Sequence, residues 1–168
     1  DAMVSNEPEQ LAVFKDADEY IDGKDGIITI GITPNCPETG YGYIQFTDKG
    51  ELSGTHEIKV VNSFKEKPGV ETAKGYVADG HYLWNAGMFM FGAEFMKSQY
   101  ALYAKDTYDI LTSLPEITDS NYMEELEKKY ALCESISVDF AIMEKTDKLY
   151  VVPADFGWDD VGSWMALD

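Results

Sequence analysis

The segment GIITIGI, Gly26 to Ile32, limits the possible folds more than any other part of this chain. It is apolar on both faces, rich in β-branched residues, and preceded by glycine and acidic residues, so it reads as a short strand covered on both sides. Such a strand belongs in a parallel or mixed sheet with helices packed on it. A chain of 168 residues has room for one such domain.

The flanking pattern agrees. Asn6 or Ser5 as N-cap, Pro8 in the first turn, and Leu11, Phe14 and Ile21 on one face predict a helix ending before Gly23. After the loop PNCPETGYG come YIQF, a DKGE turn and a second strand from His56 to Phe64. A short helix over Val70–Val77 and a buried strand over Trp84–Phe91 follow. Phe95, Tyr100, Tyr103, Tyr108, Leu111 and Leu114 recur at helical spacing up to Pro115, and an acidic helix spans about Asn121 to Leu132. SVDFAIMEK predicts a short helix capped by Ser137, KLYVVPADF a strand, and GWDDVGSW a turn into a further helix. Alternating strands and helices give an α/β fold with a mixed, mostly parallel central sheet and flanking helices.

Charge removes several function classes. All 13 basic residues are lysines, against 31 Asp plus Glu, for a net charge of −18. Nucleic acid and anionic membrane surfaces both demand clustered cations, so neither is an expected partner. A phosphorylated small molecule remains compatible if divalent metal offsets the repulsion. Cys36 and Cys133 lie far apart and read as free thiols; with only His56 and His81 beside them, no zinc site is expected. The amino end lacks the basic and apolar regions of a signal peptide, which makes the cytoplasm the expected compartment.

Four segments carry candidate chemistry. In PETGYGY, Gly40 and Gly42 would let backbone approach a ligand while the tyrosines offer flat faces to a sugar or base; a turn with core tyrosines is the plainer reading. In FKEKP, Lys67 could pair with a phosphate and Glu66 accept from sugar hydroxyls, or the pair could be a solvated sheet end. Asn85, a lone amide in the apolar run WNAGMF, either ties down a loop or reads a ligand. Asp159 and Asp160 are neighbours on an extended segment, so at most one faces a given site; that one could hold Mg²⁺ or cap the next helix.

Taken in order, PETGYGYI (37–44), FKEKP (64–68), LWNAGMFMF (83–91), SVDFAIMEK (137–145) and FGWDDVGSW (156–164) resemble the nucleotidyltransferase domain of the mannose-1-phosphate guanylyltransferase family. The resemblance implies a Rossmann-like sugar nucleotidyltransferase domain that converts GTP and mannose 1-phosphate into GDP-mannose and pyrophosphate with Mg²⁺. It implies metal-binding roles for Asp1 and Asp160, with Ala2 standing where the family has a histidine. Lys67 would hold the sugar phosphate and, with Asp160, carry catalysis. Glu66 and Asn85 would bind mannose hydroxyls, and Gly42 would bring its backbone to the sugar. Asp139 and Lys145 match the pattern without an assigned role.

The family's Gly-rich, Arg-containing nucleotide loop has no counterpart here. Residues 1–168 are therefore expected to be the later part of one domain, incomplete at both ends and inactive without an upstream segment. A bare sheet edge that favours self-association is a further expectation. The alternatives are a noncatalytic sugar-binding or regulatory module of the same fold, and a transferase for another hexose 1-phosphate or base.

Overall fold

The computed structural model describes residues 2–161. Asp1 and the helix expected after Gly162 lie outside the described residues. Two compact units are present: residues 1–92 with 148–168, and residues 93–147.

The first unit opens with the strand β1 (Ala2–Val4) and the helix α1 (Glu7–Ile21). Asn6 caps α1 as its side chain predicts, with Oδ1 accepting from the Glu9 N–H at 3.3 Å. The expected buried strand is β2 (Ile27–Ile32), in which Ile27 to Gly31 are all buried. Next come β3 (Tyr43–Ser53) and β4 (His56–Lys65), then helix α2 (Val70–Asp79) and β5 (Tyr82–Phe91). The chain returns to this unit as β6 (Leu149–Ala154) and ends as β7 (Trp158–Asp160).

Five strands form one mixed sheet in the order β2-β5-β3-β4-β6, and it closes because β6 pairs in turn with β2. The expected mixed sheet is present, but its mostly parallel character is not. Among the described residues only the β2–β6 ladder of this sheet is parallel, whereas β2–β5, β3–β4, β3–β5 and β4–β6 are antiparallel. The reason is the tight connection between β3 and β4, since a short turn joins only antiparallel strands. Closure also removes the bare edge expected for this sheet among the described residues.

That tight turn is not at DKGE. Asp48 to Glu51 lie inside β3, with register shifts on either side of Phe46, and the chain reverses at Gly54, whose φ is +56°. Asp16 explains why the reversal sits there. Its carboxylate accepts from Thr55 N–H at 2.8 Å and pairs with His56 Nδ1 at 2.7 Å, while His56 Nε2 meets Glu9 at 3.0 Å. Asp16 and His56 are nearly buried, so this clasp fixes the hairpin to α1. The Thr55 N–H, followed by the imidazole, holds the Asp16 carboxyl below the usual carboxylate range despite burial. Burial pushes the His56 ring down, but its two carboxylate hydrogen bonds outweigh that and raise it.

One core cluster packs Val13, Ala17 and Ile21 of α1 against Ile28, Ile30, Ile58, Val152, Ala154 and Phe156. Met88 and Met90 lie against it, partly buried. A second cluster is built on Tyr43, Ala73 and Trp84.

The second unit is helical. The long helical region divides into α3 (Ala93–Tyr103) and α4 (Lys105–Thr112), followed by α5 (Tyr122–Tyr130). SVDFAIMEK forms a single π turn over Asp139–Met143, and it is the Ser137 carbonyl, accepting from Ala141 N–H at 2.9 Å, that starts it rather than a side-chain cap. Cys36 and Cys133 are free thiols. No helix among the described residues is long and apolar enough to cross a membrane.

Candidate active site

Three ladders bring the singled-out residues together. Tyr43 lies opposite both Lys65 of β4 and Trp84 of β5, so the preceding residue, Gly42, is flanked by Glu66 on one side and Asn85 on the other. The Asn85 N–H donates to the Gly42 carbonyl at 2.8 Å, extending the β3–β5 ladder to this point. Asn85 is also opposite Gly31, near the carboxyl end of β2, which runs parallel to β6. The carboxyl ends of parallel strands are where α/β sheets bind ligands.

Gly42 is glycine for a reason the sequence did not disclose. A Cβ on it would stand 2.5 Å from Glu66 Oε2, 3.3 Å from Asn85 Cβ and 3.4 Å from Phe64 Cζ. The side-chain space is taken by the Glu66 carboxylate, so the missing Cβ admits a neighbouring residue of the site. Glu66 is consequently not part of a solvated strand end: its side chain is only 10% exposed, against 62% for Lys67. The Lys67 ammonium reaches Glu66 Oε1 at 3.0 Å.

Lys67 has φ +47°, a left-handed conformation at a non-glycine residue directly before Pro68. Pre-proline residues favour extended backbone, so this conformation costs about 1–3 kcal/mol. It turns the chain away from β4 immediately after the buried carboxylate.

Asn85 ties down a loop, one of the two roles its isolation in an apolar run suggested. β5 carries a bulge here, opposite the register shift between Thr29 and Gly31, with Gly87 at φ +71°. The Asn85 Oδ1 accepts from the Gly87 N–H at 3.1 Å, which closes the bulge, and from the Thr29 hydroxyl at 3.1 Å. Thr29 was hidden within GIITIGI. The signal that could have found it is a pairing of needs: a hydroxyl and an amide, each alone in a buried apolar strand, must find partners.

The tyrosines of the loop divide in role. Tyr43 is fully buried and its hydroxyl donates to the Glu38 carbonyl at 2.8 Å. Tyr41 is half-buried and meets Trp84 and Trp158 edge-on, at centroid distances of 5.2 and 5.5 Å. The loop turn itself is held by Glu38, whose carboxylate accepts from the N–H groups of Thr39 and Gly40 at 2.8 Å each.

Trp158 opens β7, an element the sequence did not announce. This strand pairs antiparallel with β1, setting Asp160 opposite Ala2 and Asp159 opposite Met3. Asp159 is exposed and Asp160 half-buried, in keeping with their facing opposite ways. Burial, and next the Asp160 carboxylate, hold the Tyr41 phenol above its usual range. Among the described residues no group of three His, Cys, Asp or Glu forms a self-contained metal site. A lone carboxylate such as Asp160 nevertheless fits Mg²⁺, which takes one or two carboxylates and fills its other positions with water and phosphate. The other expected ligand, Asp1, lies outside the described residues.

Asp139 and Lys145 belong to the helical unit. That unit also has its own cavity of about 340 Å³, lined among others by Tyr100, Leu111, Tyr130 and Cys133, and none of Gly42, Glu66, Lys67, Asn85, Asp139, Lys145 and Asp160 lines it.

The sequence and the fold match a known class of proteins. The Nucleotidyl transferase family model matches residues 3–168, and the chain belongs to that family. It is 40% identical over 173 residues to the mannose-1-phosphate guanylyltransferase of Escherichia coli K12, covering 99% of this chain and 35% of that protein. It is 39% identical over 169 residues to the enzyme of the same name from Klebsiella pneumoniae, covering 99% and 36%. A solved structure from Thermus thermophilus, described as a mannose-1-phosphate geranyltransferase, superposes with a TM-score of 0.81 at 29% identity, over 99% of this chain and 46% of that one. A Helicobacter pylori structure described as a mannose-6-phosphate isomerase shares the fold, with a TM-score of 0.75 at 20% identity over 95% of this chain and 61% of that one. The chain spans about a third of the length of the curated relatives it matches.

Proposed function

We propose that the protein carrying this chain transfers a guanylyl group from GTP to mannose 1-phosphate, releasing pyrophosphate, and that this chain forms the sugar-phosphate part of the site. The observation that carries the reading is the convergence of Glu66 and Asn85 on Gly42, with Lys67 at their edge. A nearly buried carboxylate accepts hydrogen bonds from sugar hydroxyls, an amide N–H donates to their oxygens, and a more exposed ammonium beside them meets the phosphate. The names of the E. coli and Klebsiella relatives support the same substrates.

In this reading a sugar-phosphate oxygen attacks the α-phosphorus of GTP in line, and the bond to pyrophosphate breaks. The chain's own residues act chiefly by position. Glu66 and Asn85 fix the sugar, and Lys67 orients its phosphate and offsets part of its charge as the two anions approach. Asp160 is the described residue that would hold Mg²⁺, which when bound would neutralise phosphate charge and aid pyrophosphate departure.

The test is GDP-mannose formation by the full-length protein from GTP and mannose 1-phosphate with Mg²⁺, beside Lys67→Ala. Turnover in the wild type, with a KM for mannose 1-phosphate at least tenfold higher in the variant, is expected. No product, or an unchanged KM, refutes the assignment. Product from another hexose 1-phosphate or nucleoside triphosphate in preference would move the protein to a related transferase.

A further inference from the structure

We infer that Thr29 is a positioning residue for this site: its buried hydroxyl helps to lock the Asn85 carboxamide with its oxygen turned inward, so that Asn85 meets the sugar only as a donor. The inference rests on the functional reading above and adds the hydrogen-bond polarity of the half-site.

Thr29 is fully buried on β2. Its Oγ1 donates to Asn85 Oδ1 at 3.1 Å, and the Gly87 N–H, which can only donate, reaches the same oxygen at 3.1 Å. An amide oxygen has two lone pairs, and both are used. The opposite rotamer would set the Asn85 NH₂ against the Gly87 N–H, donor facing donor. The carboxamide is therefore fixed from two directions, by a backbone group of the bulge and by a side chain of the neighbouring strand. The backbone N–H of Asn85 is committed as well, to the Gly42 carbonyl at 2.8 Å.

The consequence concerns the ligand. Across Gly42 from this donor-only amide stands the Glu66 carboxylate, which when ionised only accepts. A hydroxyl that reaches both donates to the carboxylate and accepts from the amide. The pair is thus suited to a sugar that carries a hydroxyl at that position and less suited to a deoxy sugar, which lacks the group that meets both.

The variants are Thr29→Val, which keeps shape and removes the hydroxyl, and Thr29→Ser, which keeps the hydroxyl. Measured in the full-length protein, Thr29→Val should raise the KM for the hexose 1-phosphate roughly threefold to tenfold, the factor expected for one neutral hydrogen bond. The KM for the nucleotide should not move, and Thr29→Ser should stay near the wild type. Equal KM values in Thr29→Val and wild type, or equal impairment in Thr29→Ser, overturn the inference. A ligand-free readout separates it from the functional reading: the side-chain NH₂ resonances of Asn85 in ¹H–¹⁵N spectra, identified by their loss in Asn85→Ala. They should shift in Thr29→Val and not in Thr29→Ser. If the wild type makes no nucleotide sugar but these resonances shift, the function is wrong and the lock is right; unmoved resonances refute the lock in any case. Should Thr29→Val fail to fold, Thr29→Ala is measured in its place by the same two readouts.

Discussion

Replacing Gly42 by alanine separates what this glycine does for folding from what it does for the ligand. Its φ is not in the left-handed region, so alanine is conformationally tolerated, and the unfolded chain loses freedom worth about 0.4–1 kcal/mol. Against that gain stands a collision, because the new Cβ would be 2.5 Å from Glu66 Oε2. Carbon and oxygen without a covalent link approach to about 3.3 Å, so the carboxylate must retreat by roughly 0.8 Å. The contacts with Asn85 Cβ at 3.3 Å and Phe64 Cζ at 3.4 Å need only small adjustments. The displaced atom is the far end of a flexible side chain, so the overpacking penalty should fall near the low end of the usual ~1–3 kcal/mol. Net destabilisation of about 1 kcal/mol or less lowers Tm by no more than about 4 °C for a chain of this size. Binding responds differently. A carboxylate that retreats that far gives up hydrogen bonds to sugar hydroxyls worth about 1.5–3 kcal/mol, which is roughly 10- to 150-fold in affinity. Those hydroxyls are remote from the reacting phosphorus, so the loss should enter KM for the sugar phosphate more than kcat. The assay is a thermal melt beside steady-state kinetics on the same preparations, with Glu66→Gln for comparison. An unchanged KM would show that Glu66 does not touch the sugar. A Tm lowered by more than about 10 °C would show that Gly42 serves the fold.

The clasp on α1 gives two further tests. His56 has its pKa raised on folding, so its contribution to stability is fully present below about pH 6.5, the unfolded value, and fades as pH rises through the higher folded value. Asp16 is shifted the other way, so its contribution is present above about pH 4 and fades as pH falls through its lowered value. The wild-type Tm should therefore decline from about pH 6 toward about pH 9 more steeply than that of His56→Gln, and parallel slopes would refute the pairing. Gly54→Ala forces a left-handed alanine into the space of the Asp16 carboxylate. Strain of about 1–2 kcal/mol plus the loosened clasp should total roughly 3 kcal/mol, lowering Tm by about 6–12 °C, while a shift under about 2 °C would count against the geometry.

The sequence by itself determined what depends on near neighbours. The cap at Asn6, the buried β2 run, α2, α5 and the strand that became β6 follow from spacing and residue type, because each is set within one turn or one pleat. The opposite facing of Asp159 and Asp160 belongs to the same class. Tertiary structure decided the rest. The antiparallel majority of the ladders, the extension of β3 through DKGE and the pairing of β7 with β1 depend on strand partners far away in sequence, which no local pattern encodes. The site is decided at the same level. FKEKP read alone is an exposed charged strand end, and it is the β3–β4 register that places Glu66 over a glycine and takes it out of water. Thr29 and Asn85 stand 56 residues apart, and a bulge in β5 is what turns two isolated polar residues into one hydrogen-bonded pair. Side-chain type and local periodicity fix which elements form, whereas strand register fixes which polar groups share a desolvated space, and it is in that space that their chemistry is set.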